Sequence, residues 1–147
     1  SEMTLSFWVL GLARPKGSKQ PFPIYKGKRG QPKVFTGKVA LVESAGAGLK
    51  AWEQDIRASA AREMDGSALL DGPICLDLVF SLPKPKAAPK SRRIWPCGQR
   101  NDLDKLARSV LDGLTNRVFH DDGQVVQLTA TKVYGDPPGV HVVVKTL

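Results

Sequence analysis

The chain has 147 residues, 41% hydrophobic and 24% charged, an ordinary globular composition that makes disorder not the default and suits one core rather than two large ones. Its net charge of +8 at pH 7 points to a polyanionic partner. No apolar run approaches the roughly 20 residues that a bilayer span needs, and the start "SEMTLSFWVLG" lacks the basic flank and long apolar centre of a secretory signal. A cytoplasmic protein with no membrane partner is expected.

In chain order, "LSFWVLGL" (Leu5 to Leu12) is rich in aromatic and branched residues and predicts a strand. The stretch "ARPKGSKQPFPIYKGKRGQPKVF" follows, where Pro, Gly and charge predict an extended basic loop. From Ser44 to Met64, Leu49, Trp52, Ile56 and Ala60 recur at three- and four-residue spacings and predict an amphipathic helix, with Trp52 in the core. Trp8 is expected in the core as well. "ICLDLVFSL" alternates with Ile74, Leu76, Leu78, Phe80 and Leu82 on one face and is the clearest strand; Asp77 lies on its minor face, facing solvent or a sheet partner.

A second loop, "PKPKAAPKSRRIWPCGQR", is rich in Pro and Lys and is expected to half-bury Trp95. Leu103, Leu106, Ala107, Val110, Leu111 and Leu114 then fall on one face of a helix. "QVVQLTATKVY" and "VHVVVKT" predict strands, joined by "GDPPG" as a hairpin. The order β-α-β-α-β-β predicts a single compact α+β domain over residues 1–147, with a mixed sheet and two main helices. Cys75 and Cys97 are too few for a disulfide framework and wrongly spaced for zinc, so reduced thiols are expected.

The charge is segregated. From Arg14 to Lys38, a segment that includes Lys16 and Lys19, there is no acid, and from Lys84 to Arg100 Lys84, Lys86, Lys90, Arg92, Arg93 and Arg100 again stand without one. Two acid-free segments suit the neutralisation of phosphates and predict a nucleic-acid partner over merely solubilising loops. The second leads directly into "RNDLDKLARSVLDGLTNRVFHDDGQV", which gathers Asp102, Asp104, Asp112, Asp121 and Asp122.

Deep in a helix, Asp102 and Asp104 point about 200° apart and cannot share a site. With Asp102 at the N-cap both can border one pocket, next to the positive end of the helix. Arg108 follows one turn after Asp104 on the same polar side. Asp121 and Asp122 lie in a turn able to fold back over the helix start. Three carboxylates from two segments make a hard oxygen set for Mg²⁺ or Mn²⁺, able to hold a phosphate oxygen and activate water. Each acid has an ordinary alternative: Asp102 or Asp104 as a helix cap, Asp121 and Asp122 as turn residues. Asp112, two turns beyond Asp104, is expected to be structural, and His120 is a lesser candidate for a ligand or base beside Asp121.

"DLDKLARSVLDGL" and "HDDGQVVQL" resemble, in order and spacing, the central pattern of the RusA family of Holliday junction resolvases. "RPKGSKQPF" and "SLPKPKAAPKSRR" are similar to the family's flanking segments. The resemblance implies a RusA-like endonuclease domain of bacterial or phage type that acts as a homodimer on four-way or branched DNA with Mg²⁺, Mn²⁺ being possible. It implies Asp102, Asp104 and Asp122 as essential metal-site carboxylates and Asp121 as neighbour or secondary ligand. Arg108 stands where the family has a catalytic Lys, and Lys105 where it has Asn. Lys105 joins the DNA-binding candidates of the two basic segments. A junction-binding module without catalysis and a nuclease of other branched DNA are the alternatives.

Overall fold

The computed structural model describes residues 2–17, 19–43, 46–88, 91, 93–98 and 101–147, and for 19–22, 40–43 and 46 the backbone alone. Its strands are β1 (Thr4–Leu10), β2 (Lys19–Lys26), β3 (Val34–Glu43), β4 (Ile74–Leu82), β5 (Val125–Tyr134) and β6 (Gly139–Thr146); its helices are α1 (Gly46–Met64) and α2 (Leu103–Leu114). The main sheet is mixed, in the order β1-β6-β4-β5. β4 runs parallel to β5, and β6 antiparallel to both β4 and β1. The α+β class, the mixed sheet and both helices are as the sequence predicts.

β4 buries Ile74, Leu76, Leu78, Phe80 and Leu82 on the helix side, and α1 answers with Leu49, Trp52, Ile56 and Ala60, all buried. Each such side chain contributes about 1.5–3 kcal/mol on burial. α1 and α2 pack closely because Gly113 has no side chain: a Cβ there would stand 2.5 Å from Ile56 Cγ2. The buried Trp52 indole is satisfied, since Nε1 donates to Ser109 Oγ at 3.3 Å and that hydroxyl donates to the Leu106 carbonyl at 2.7 Å. Asp77 is exposed and accepts from Thr129 Oγ1 across the sheet. Cys75 and Cys97 are free thiols.

Three expectations fail. The first basic loop contains a hairpin, β2 with β3, forming a two-stranded sheet of its own. Pro21 and Pro23 within β2 argue against a central strand, but a two-stranded sheet has an outward edge to both strands and tolerates them. β5 and β6 do not form a hairpin: β4 lies between them, and the 135–138 connection passes its end, where Gly135 N donates to Leu82 O at 3.0 Å. Trp8 is not core. It lies on the sheet face away from the helices, 53% exposed, with its ring centroid 4.8 Å from that of His141. Trp95 is 53% exposed, so about half of it is covered as expected, with the Arg93 guanidinium 5.1 Å from its ring centroid. No described helix is long and apolar enough to cross a membrane.

Gly113→Ala is expected to lower stability by roughly 1–3 kcal/mol through overpacking against Ile56. Urea unfolding with the slope held common to both proteins measures this, and an unchanged midpoint would show that the helices can part without cost.

Candidate nucleic-acid cleavage site

Asp102 is the N-cap of α2, with extended backbone and no side-chain capping bond, so its carboxylate is left to other partners. Lys105 Nζ lies 4.0 Å from Asp102 Oδ2. Asp104 lies in the first turn, exposed, with no hydrogen bond or ion pair among the described residues. One turn further on, Arg108 Nη1 donates to Asp122 Oδ2 at 3.0 Å. The acidic turn therefore does fold back onto α2, and it docks on the polar side that carries Asp104.

The turn has its own internal logic. Asp122–Gln124 is a short 3-10 turn capped by Asp121, whose Oδ1 accepts from Gly123 N at 3.1 Å. Gln124 closes a capping box: its Oε1 accepts from the backbone N–H of His120 at 2.8 Å and of Asp121 at 3.0 Å. Its Nε2 donates to the carbonyls of Leu70 and Gly72 at 2.9 and 3.0 Å. One side chain thus clamps the acidic turn to the segment before β4. His120 turns the other way, its Nε2 lying 2.9 Å from Asp71 Oδ1.

Asp121 and Asp122 accordingly divide their roles, the first holding the turn and the second facing α2. Among the described residues no three His, Cys, Asp or Glu side chains are gathered closely enough to hold a metal ion. The donors have the right chemistry for Mg²⁺, being hard carboxylate oxygens on an exposed surface. The Arg108 guanidinium occupies the approach between Asp122 and the helix.

The expected DNA-binding cations fall into three sets. Lys16 is half-buried and engaged by the fold's own acids: its Nζ lies 3.4 Å from both Glu53 Oε1 and Asp112 Oδ2, and its N–H donates to the Lys105 carbonyl at 2.9 Å. Partial burial lowers its pKa, but the charges and hydrogen bonds of Glu53 and Asp112 outweigh that and raise it above the ordinary 10.5. Asp112 is structural, as expected. Lys84, Lys86, Arg93 and Lys105 stand at the surface, Lys84 and Arg93 beside an open cavity of about 660 Å³ that Tyr134 and Asp136 also line. Lys90, Arg92 and Arg100 lie outside the described residues; Lys19 opens β2, and its side chain lies outside them.

Two residues of the site were not singled out from sequence. Gln124 had a readable signal, the Asp-x-x-Gln spacing of a capping box from Asp121. Lys132 had less: its Nζ donates to the Asn101 carbonyl at 3.0 Å and ties the segment before Asp102 to β5. Its register beside Phe80 puts it on the helix side of the sheet, but only the pairing of β4 with β5 reveals that.

Acids at one helix start and a second acidic segment tethered to the same helix thus lie beside the surface cations Lys105 and Arg108. The chain belongs to the RusA family: the family model described as Endodeoxyribonuclease RusA matches residues 22–145, which run from within β2 nearly to the end of β6 and include both acidic segments. It is also similar to "Uncharacterized protein YqaN" of Bacillus subtilis (strain 168), 26% identical over 140 residues that cover 90% of this chain and 86% of that protein.

Gln124→Ala is expected to cost about 2 kcal/mol, because it removes hydrogen bonds to both the turn and the Leu70 segment; hydrogen exchange should rise at His120 and Asp121 before it rises in β4. Lys16→Met tests that pairing. Because the folded pKa of Lys16 is raised, its stabilisation is fully present below the ordinary 10.5 and is lost as pH rises through the folded value. The stability gap between wild type and variant should therefore be constant near neutrality and close in strong alkali.

Proposed function

We propose that the chain is a Mg²⁺-dependent endonuclease that resolves four-way DNA junctions by paired phosphodiester cuts. The observation that carries this reading is the Arg108–Asp122 contact, which brings the second acidic segment to the helix that bears Asp102 and Asp104, in a member of an endodeoxyribonuclease family. The ion would be held by Asp102, Asp104 and Asp122, with Asp121 as a secondary ligand; Mn²⁺ suits the same oxygens. When bound, it supplies Lewis-acid polarisation of the scissile phosphate and a more acidic water.

The protein's own groups do the rest. Arg108 is always charged, so it balances negative charge on the phosphate oxygens and does not serve as a proton donor. Its partner Asp122 keeps the guanidinium oriented until the phosphate arrives. Lys105 sits beside Asp102 and is placed to accept a flanking phosphate, and Lys84, Lys86 and Arg93 extend the cationic path toward the second loop. Lys90, Arg92, Arg100 and Lys19 are assigned to DNA by charge alone. Lys16 is assigned to bracing α1 against α2. Resolution requires cuts in opposing strands, so the working form is a two-fold homodimer with two identical sites, acting in the cytoplasm of a bacterial or phage-infected cell.

A second reading, a junction-binding module without catalysis, is favoured by the way Arg108 holds Asp122 in a site where no three described ligands gather. Cleavage of an immobile four-way junction against a linear duplex of the same sequence, in Mg²⁺ and in chelator, separates the two. The proposed nuclease makes symmetric, metal-dependent cuts at the junction, and Asp102→Asn lowers their rate by about 100-fold or more. Equal cutting by wild type and Asp102→Asn removes the metal role from this helix start, and binding without cuts supports the second reading.

A further inference from the structure

The hairpin of β2 and β3 is unlike the rest of the molecule. Every other strand pairs into the main sheet, but β2 and β3 pair with each other alone. A lone two-stranded hairpin is marginal in water. It nevertheless exposes Tyr25, Val34, Phe35 and Val39, each at least half open to solvent. Tyr25 and Phe35 are direct cross-strand partners with ring centroids 5.8 Å apart. Apolar rings held at the surface on a projecting ribbon are better explained by something that covers them than by the fold they leave.

The charge around the rings says what covers them. Lys26, Lys28, Arg29, Lys33 and Lys38 are all exposed, and no acid occurs between Arg14 and Val42. The tip is a tight turn in which Gln31 N donates to Lys28 O at 3.0 Å and Gly30 takes φ +81°, so the turn presents Lys28 and Arg29 at the far end of the ribbon. A partner that offers both negative charge and flat π surfaces is a nucleic acid with unstacked bases. An ordinary duplex offers the phosphates but hides its base faces; a branch point exposes both.

We infer that the β2–β3 hairpin is the branch-reading element, with Tyr25 and Phe35 stacking on bases exposed at the crossing point and the surrounding cations gripping the flanking phosphates. This rests on the nuclease reading for its substrate and adds the residues that distinguish a branch from a plain duplex. On this reading the hairpin selects the shape.

The test is equilibrium binding of the full chain, in chelator so that nothing is cut, to a four-way junction carrying 2-aminopurine at its crossing point and to a linear duplex. Tyr25→Ala/Phe35→Ala should lose about tenfold to a hundredfold in junction affinity, lose the fluorescence change of the probe, and bind duplex as wild type does. Lys28→Ala/Arg29→Ala/Lys33→Ala should instead weaken junction binding with a shallower salt dependence, by about two to three in the log–log slope. Because the two rings also pair across the strands, Tyr25→Leu/Phe35→Leu, which keeps an apolar cross-strand pair but removes the rings, should lose the probe signal as the alanine variant does, with circular dichroism unchanged. Retention of both junction preference and probe signal by the aromatic double variant overturns the inference. So does a change of sedimentation mass with DNA preference intact, which would make the rings a protein-docking surface. Failure of the nuclease reading looks different: hairpin-dependent junction binding persists, but no strand is cut when Mg²⁺ is restored.

Discussion

The burial of Leu106, Ala107, Val110 and Leu114 against the sheet and α1 decides which way every polar group on α2 points. The apolar face contributes several kcal/mol, whereas an exposed ion pair such as Arg108–Asp122 contributes about 0–1 kcal/mol. The ion pair therefore does not hold the helix; the helix holds the ion pair. Once the apolar stripe is seated, Asp104 and Arg108 must share the outer face one turn apart, and Asp102 must stand at the only end of the helix that welcomes negative charge. The absence of a side chain at Gly113 lets that seating be close.

The same economy of position explains why the cations are not equivalent. Lys16 comes from a basic segment yet pairs with Glu53 and Asp112 of the two helices, and Arg57 shares Glu53 at 3.1 Å. Lys132 supports the backbone ahead of Asp102. The described cations of the hairpin, Lys26, Lys28, Arg29, Lys33 and Lys38, and Lys86 and Arg93 of the second loop are exposed, where a polyanion can reach them. Net charge alone does not distinguish these groups; local acids and carbonyls do.

Much of this architecture is legible in the sequence because it follows short periods. The stripes of α1 and α2 and the alternation of β4 depend on residues a few positions apart, and the N-cap place of Asp102 follows from where the stripe of α2 begins. Pairing is less legible. "GDPPG" has the composition of a hairpin turn, but β4 is apolar enough to need a neighbour on each side, and β5 and β6 take those places. Trp8 was misassigned because "LSFWVL" is apolar on both faces, so alternation gives no inward side until β6 fixes the register. In the site, Asp121, Asp122 and Arg108 were visible as candidates, but the division between a turn-holding Asp121 and an Arg-facing Asp122 depends on the Gln124 clamp, which ties together residues about 50 positions apart in sequence.

β6 lies in the interior of the main sheet, between β1 and β4, although it is the last of the described strands. The first strand therefore has no place in the sheet until the last has been made. A chain stopped short of Gly139 would leave β4 without its antiparallel neighbour and β1 without any, so the apolar face on which α2 rests would be incomplete. During synthesis, the acidic helix start is already translated while the platform that aims it is not. A half-made chain is thus a basic polypeptide whose acidic helix start has no organised platform until translation of this domain has passed β6.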